Sequence, residues 1–146
     1  MRLFPAALLA VALPWLCRAR DYRPLRDVAA TVTVVASAAA AIVWAEADPI
    51  VTLLFGPGYR AAIPVLRILV IAFPFLSLNL ALTHQLIGWN RQRSYAAICG
   101  AALVANLALN TWLIPSYALE GAAWATVGTE LCVTTGCLAA LRGGAA

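Results

Sequence analysis

Five side chains stand out because their chemistry is at odds with the residues around them: Arg67, Asn79, Asn106, Asn110 and Glu130. Each lies within or beside a long apolar run. A guanidinium in the position of Arg67 has two uses. It snorkels to lipid headgroups along its aliphatic stem, or it faces a cavity and pairs with a phosphate through its planar fork. Asn79 falls in the middle of its run. Asn106 and Asn110 are spaced i, i+4 and share one helix face. Thr126, Glu130 and Thr134 repeat every four residues and make a second polar stripe. Polar groups at such depth bond helix to helix or face a water-filled cavity, and they avoid lipid. A carboxylate like Glu130 either pairs with a cation there or is carried as the acid. His84 and Gln85 lie near the end of their run, where a lone histidine reads as a hydrogen-bonding interface residue.

Catalytic constellations are missing. Cys17, Cys99, Cys132 and Cys137 form no CxxC pair, and with one histidine no metal set can be assembled. No glycine-rich phosphate cradle and no Ser-His-Asp arrangement is present. The expectation is no enzyme, no cofactor and no ATP site. Any transport then draws on an ion gradient, on its substrate or on a partner.

The elements that must position these residues follow from composition. The 146 residues are 64% hydrophobic and 11% charged, and the mean hydropathy is +0.88. A soluble domain is about half apolar and roughly a quarter charged, so this chain cannot coat a globule. Four runs approach the roughly 20 apolar residues that a spanning helix needs. They give an all-α polytopic membrane protein with spans over 28–45, 66–87, 95–114 and 119–141. Helix is the default, because a bilayer forces backbone groups to pair within the segment. Residues 1–17, "MRLFPAALLAVALPWLC", read as an apolar helix end or an interfacial helix, or else as a secretory signal.

The net charge of +4 comes from arginine alone, and the chain has no lysine. Arg18, Arg20, Arg23, Arg26, Arg91, Arg93 and Arg142 fall on one side of an alternating chain. Glu46, Asp48, Arg60 and Glu120 fall on the other. Arginine favours the cytoplasmic face, which puts the Arg91/Arg93 loop and the C-terminus inside. No basic, aromatic-interleaved patch for nucleic acid is present.

Between the first two runs lies "LFGPGYRAAIPVLRIL", residues 54–69. Asp48 and Pro49 are expected to open a short apolar helix over 50–55, with the carboxylate capping it. Gly56-Pro57-Gly58 stops that helix at the outer interface. Tyr59 suits the headgroup level, and Pro64 fits the first turn of the next span. Small-residue stripes, Ala97/Ala101/Ala105 and Gly121/Ala125/Thr129, are expected to let helices approach closely.

Taken in order, Asp48-Pro49-Ile50, "LLFG", Tyr59 and "AAIPVLRIL" resemble the C-terminal half of polysaccharide flippases. These belong to the multidrug, oligosaccharidyl-lipid and polysaccharide exporter superfamily. The resemblance extends through "GWNRQRSYAAICGAALVANLALNTWLIPSYALEGAAWATVGTEL". It rests on Gly88, Arg91, Asn106, Asn110, Leu113, Ile114, Pro115, Tyr117, Gly121, Ala122, Ala123, Ala125, Thr126 and Glu130. "LFPA", residues 3–6, is similar to the segment just upstream.

The resemblance implies a partial half-bundle of an exporter fold in the cell inner membrane, acting on polyprenyl-pyrophosphate-linked oligosaccharides for cell-surface polysaccharide synthesis. Arg67, Asn79, Asn106, Asn110 and Glu130 are its candidate substrate-binding residues, and Arg67 would meet the pyrophosphate. The family builds roughly twelve spans as two similar halves, whereas this chain has four. It is therefore expected to be inactive alone and to work with a missing N-terminal half or with polysaccharide-assembly proteins, as well as with membrane lipids. Alternatives are a drug antiporter or peptidoglycan-precursor flippase of the same superfamily, or a small membrane scaffold with no substrate.

Overall fold

The computed structural model describes residues 22–143, with side chains described from Asp27 onward. The expectations for residues 1–17, Arg18 and Arg20, and for the side chains of Arg23 and Arg26, lie outside that range. Among the described residues the chain is all-helical, and three helices are long and apolar enough to cross a membrane. In chain order the helices are α1 (Tyr22–Ala45), a short α2 (Ala47–Phe55) followed by a 3-10 turn (Pro57–Tyr59), α3 (Ala62–Gly88) and α4 (Gln92–Arg142), of which α1, α3 and α4 are the three long ones.

The punctuation between helices has local causes. Gly56 takes φ +86°, a left-handed conformation open to glycine, and its N–H closes the last turn of α2 on the Thr52 carbonyl at 3.0 Å. Asp48 does not cap this helix. The helix starts at Ala47, Glu46 holds the cap position without a side-chain bond, and Asp48 falls inside the first turn, where its charge still suits the helix dipole. Pro64 sits in the first turn of α3, as its missing N–H requires. At the far end of α3, Asn90 adopts φ +59°. The Arg91 N–H reaches the Leu86 carbonyl at 2.8 Å and the Asn90 N–H the Ile87 carbonyl at 3.0 Å, the paired bonds of a Schellman turn.

Helix α4 has 51 residues. Straight, it would reach about 76 Å at 1.5 Å per residue, more than twice a bilayer core of about 30 Å. It is not straight. Ala118 has φ 47° and ψ −122°, and the chain doubles back there. Asn106 bonds Thr129 at 2.9 Å across the fold. Gly136 faces Ile98, Gly128 faces Leu109, and Gly121 lies directly against the backbone of Leu113. α4 is thus two antiparallel arms, 92–117 and 119–142, where the sequence suggested separate helices over 95–114 and 119–141. Helical structure persists past Ile114 because Pro115 is accommodated inside the first arm.

The second arm is the middle of the hairpin packing. It turns Glu130, Thr134, Cys137 and Leu141 toward α3, and on nearly the opposite side it turns Gly121, Gly128, Thr129 and Gly136 toward the first arm. α3 in turn packs on α1 as well as on α4. The main apolar cluster joins Ala29 of α1, Ala81, Leu82 and Leu86 of α3, and Cys137 and Leu141 of the second arm. That cluster gathers the start of α1, the end of α3 and the end of α4 at one end of the bundle. There Arg91 Nη1 donates to the Ala140 carbonyl, close to Arg142. At the opposite end Arg67 of α3 meets Trp44 of α1. Consecutive long segments therefore alternate in direction, with the basic loop and the basic C-terminal turn together at one end and α2 at the other.

Among the described residues the Ala97/Ala101/Ala105 stripe lines no helix contact: Ala97 and Ala101 are exposed and Ala105 is half-buried, whereas Ala102 is buried.

Candidate functional site

The polar residues predicted from sequence resolve into two hydrogen-bonded groups about halfway along the bundle, and one residue stands apart. In the first group Asn79 is 4% exposed. Its Nδ2 donates to the Glu130 carbonyl at 2.9 Å and to Glu130 Oε2 at 2.8 Å. Thr134 Oγ1 donates toward Asn79 Oδ1 at 2.7 Å, with the Glu130 carbonyl also within reach at 2.8 Å. Both ends of the buried amide are therefore satisfied, as a buried polar group requires. The local reason is helical phase: Glu130 and Thr134 are one turn apart on the face of the second arm that meets α3.

In the second group Asn106 Nδ2 donates to Thr129 Oγ1 at 2.9 Å. Asn110 Nδ2 reaches back one turn to the Asn106 carbonyl at 2.9 Å and to Asn106 Oδ1 at 3.0 Å. The i, i+4 spacing read from sequence is thus a direct contact. Thr129 and Glu130 are adjacent in the chain, about 100° apart around the helix. One short stretch of the second arm therefore carries both groups and connects three packed helical segments by polar bonds. Asn106, Asn110, Glu130 and Thr126 are half-buried, in contrast to Asn79.

The carboxylate of Glu130 accepts from an amide, and among the described residues no arginine or histidine pairs with it. It lies about 16 Å from the start of its arm at 1.5 Å per residue. Thr126 belongs to the same stripe, but its hydroxyl bonds the Ala122 carbonyl of its own helix at 3.0 Å. His84 Nδ1 lies 2.6 Å from the Leu80 carbonyl one turn back on its own helix.

Arg67 is the residue that stands apart. It lies twelve residues from Asn79 on α3, so about 18 Å along the axis. Its Nε donates to the Trp44 carbonyl at 3.3 Å, and its guanidinium carbon lies 5.1 Å from the Trp44 ring centroid. A cation at the last carbonyls of α1 suits the negative end of that helix, and the stacking adds a cation–π contact. The half-buried Arg67 thus ties α1 to α3.

Sequence reasoning missed several participants. Thr129, a small packing residue by its spacing, accepts a hydrogen bond through its hydroxyl. Gly128 and Gly136 permit the close approach of the two arms and carry no spacing signal of their own. Ser77 Oγ and Gln85 Nε2 are buried without a hydrogen-bond partner on α3, as is Thr33 Oγ1 on α1. No group of three or more histidine, cysteine or acidic residues that could hold a metal occurs among the described residues. Cys99, Cys132 and Cys137 are free thiols.

Compared with protein-family models, with curated proteins and with solved structures, the chain matches none.

Proposed function

We propose that this chain is a membrane-embedded part of a carrier that moves polyprenyl-pyrophosphate-linked oligosaccharides across the cytoplasmic membrane. It would cross the bilayer four times, through α1, α3 and the two arms of α4, with the Arg91/Arg93 loop and the C-terminus cytoplasmic. The observation that carries the reading is the polar band at mid-depth. Hydrocarbon tolerates such groups only where they face protein or water, and here half-buried Glu130, Asn106 and Asn110 lie on packed helices whose other faces are apolar and exposed. The resemblance of the 54–69 stretch and of the "LIPSYALEGAA" hairpin to polysaccharide flippases supports the substrate class. The alternation of helix directions, with the basic segments at one end, supports the orientation.

In this reading the band is one wall of a path, and further helices supply the other. Alternating access rocks one bundle against another around a shared site, so the 146 residues alone would not transport. Arg67, at the opposite end from the basic loop, would serve the pyrophosphate only if it let go of Trp44.

One observation favours a second reading, a membrane scaffold without substrate: the asparagines are satisfied by neighbours within the chain. An experiment in the native host separates the two. The chain is depleted, then restored as wild type or as Glu130→Gln at matched abundance. An impermeant glycosidase added outside then reports lipid-linked oligosaccharide on the outer leaflet. The carrier reading expects depletion to leave the oligosaccharide protected inside, and expects rescue by wild type alone. Unchanged outer-leaflet oligosaccharide after depletion overturns it.

A further inference from the structure

Helix α2 lies at the end of the bundle opposite the basic loop, between two membrane-length helices; its first eight residues divide into three sectors, and Phe55 at its end falls between the buried and the polar ones. At 100° per residue, Ala47 and Val51 fall together and are buried, 0% and 3% exposed. Asp48 and Thr52 form a polar sector next to them. Pro49, Ile50, Leu53 and Leu54 fall on the remaining side, roughly opposite the polar sector. Leu53 is 87% and Leu54 68% exposed. A helix at a simple water-facing turn would bury such leucines or replace them. A helix lying in a bilayer surface needs all three sectors: one toward the protein, one toward water and one toward acyl chains.

The same end of the bundle carries exposed aromatics from four separate places. Trp44 ends α1, Phe55 ends α2, Tyr59 sits in the 3-10 turn, and Trp112 and Tyr117 lie just before the Ala118 reversal. The Phe55 and Tyr59 rings are in contact, 5.8 Å between centroids. Tryptophan and tyrosine concentrate at the headgroup level, where one edge is wet and the other apolar. Exposed Arg60 follows Tyr59 directly, in reach of the same level.

We propose that α2 and the turn after it form a lipid-binding elbow, lying in the plane of one membrane surface with Ile50, Leu53 and Leu54 among the acyl chains and Arg60 at the phospholipid phosphates. The occupant is phospholipid and not a second protein, because the exposed leucines share their end of the bundle with exposed aromatics from four separate places and with exposed Arg60. The inference rests on the membrane reading above. The elbow fixes the depth of α1 and α3 and holds the Arg67–Trp44 contact at the membrane surface.

The test is spin-label accessibility in phospholipid vesicles. The full chain has its cysteines replaced and carries one label at a time, at Asp48, Thr52, Leu53, Leu54, Val35 or Leu107. Of these sites only Thr52 is half-buried; the others are exposed, so labels there remove little packing. Oxygen, which favours lipid, is compared with a water-soluble nickel chelate. A several-fold higher oxygen-to-nickel ratio at 53 and 54 than at 48 and 52, with 35 and 107 lipid-like, is the expected result. Lipid-like 35 and 107 with nickel-accessible 53 and 54 overturns the elbow alone. Exclusion of both reagents at 53 and 54 means a protein covers them and also overturns it. Nickel access at 35 and 107 sinks the membrane reading itself.

Discussion

Replacing Asn79 by leucine keeps the volume of a buried side chain and deletes three hydrogen bonds, those to the Glu130 carbonyl, to Glu130 Oε2 and from Thr134 Oγ1. Hydrogen bonds between membrane helices average about 0.6 kcal/mol and reach about 1.7. Three of them, one to a carboxylate, place the loss at roughly 2 kcal/mol. The cost is moderated because Thr134 retains the Glu130 carbonyl as an alternative acceptor at 2.8 Å. A double-mutant cycle with Thr134→Val isolates a single bond, so the coupling between these two substitutions should lie near 0.6–1.7 kcal/mol. The assay is reversible unfolding in mixed detergent–lipid micelles with increasing denaturing detergent. Asn79→Asp is the companion variant: it sets a second carboxyl beside Glu130 and should destabilise more than leucine does. Strict additivity of Asn79→Leu and Thr134→Val, or a loss near zero for Asn79→Leu, would show that the bonds do not hold α3 to the second arm.

Further predictions address the hairpin, the topology and Arg67. Ala118→Gly should stabilise the chain by about 1 kcal/mol, since the alanine holds a positive φ that costs roughly 1–2 kcal/mol; an unfolding midpoint at or below that of the parent contradicts this. Gly121→Leu should separate the arms at the reversal, because a Cβ at that position meets the Leu113 backbone, and its readout is loss of a disulfide engineered between positions 106 and 129. Reporter fusions after Arg93 and after Ala146 should both read cytoplasmic, and an external signal at either rejects the orientation. Arg67→Lys keeps the charge but gives up the Nε bond and the planar stacking on Trp44, so it should loosen α1 from α3 by a fraction of the approximately 0.5–2 kcal/mol typical of cation–π contacts, measured by the same unfolding assay.

The positions of the helices were legible because apolar runs of bilayer length and proline–glycine punctuation act locally. Gly56 and Pro64 do in the structure what their residue types dictate. Asp48 is not the cap that its place before Pro49 suggests, because a carboxylate two residues past the cap gives the same sequence pattern. The reversal at Ala118 could be placed between two runs, but its conformation could not, since a left-handed φ is normally signalled by glycine and here an alanine adopts it. The Asn90 turn was hidden for a related reason: asparagine is an accepted but weak sign of a Schellman cap.

Within the polar band, the Asn106–Asn110 contact followed from helical spacing. The Asn79–Glu130–Thr134 group joins residues some fifty positions apart, and no local pattern encodes which face of α3 meets which face of α4. The alanine stripe at 97, 101 and 105 shows the same limit. Spacing identifies a smooth face, but only packing decides whether another helix uses it.

Whether the polar band borders water or serves packing alone is the question on which the carrier reading turns. The direct measurement is labelling by a membrane-impermeant thiol reagent in native membranes, on a cysteine-replaced chain bearing Glu130→Cys, Asn106→Cys, Val35→Cys or Leu107→Cys. The carrier reading predicts labelling at 130 and 106 and none at 35 and 107. Protection at all four positions, in membranes where the chain is present at normal abundance, would contradict it.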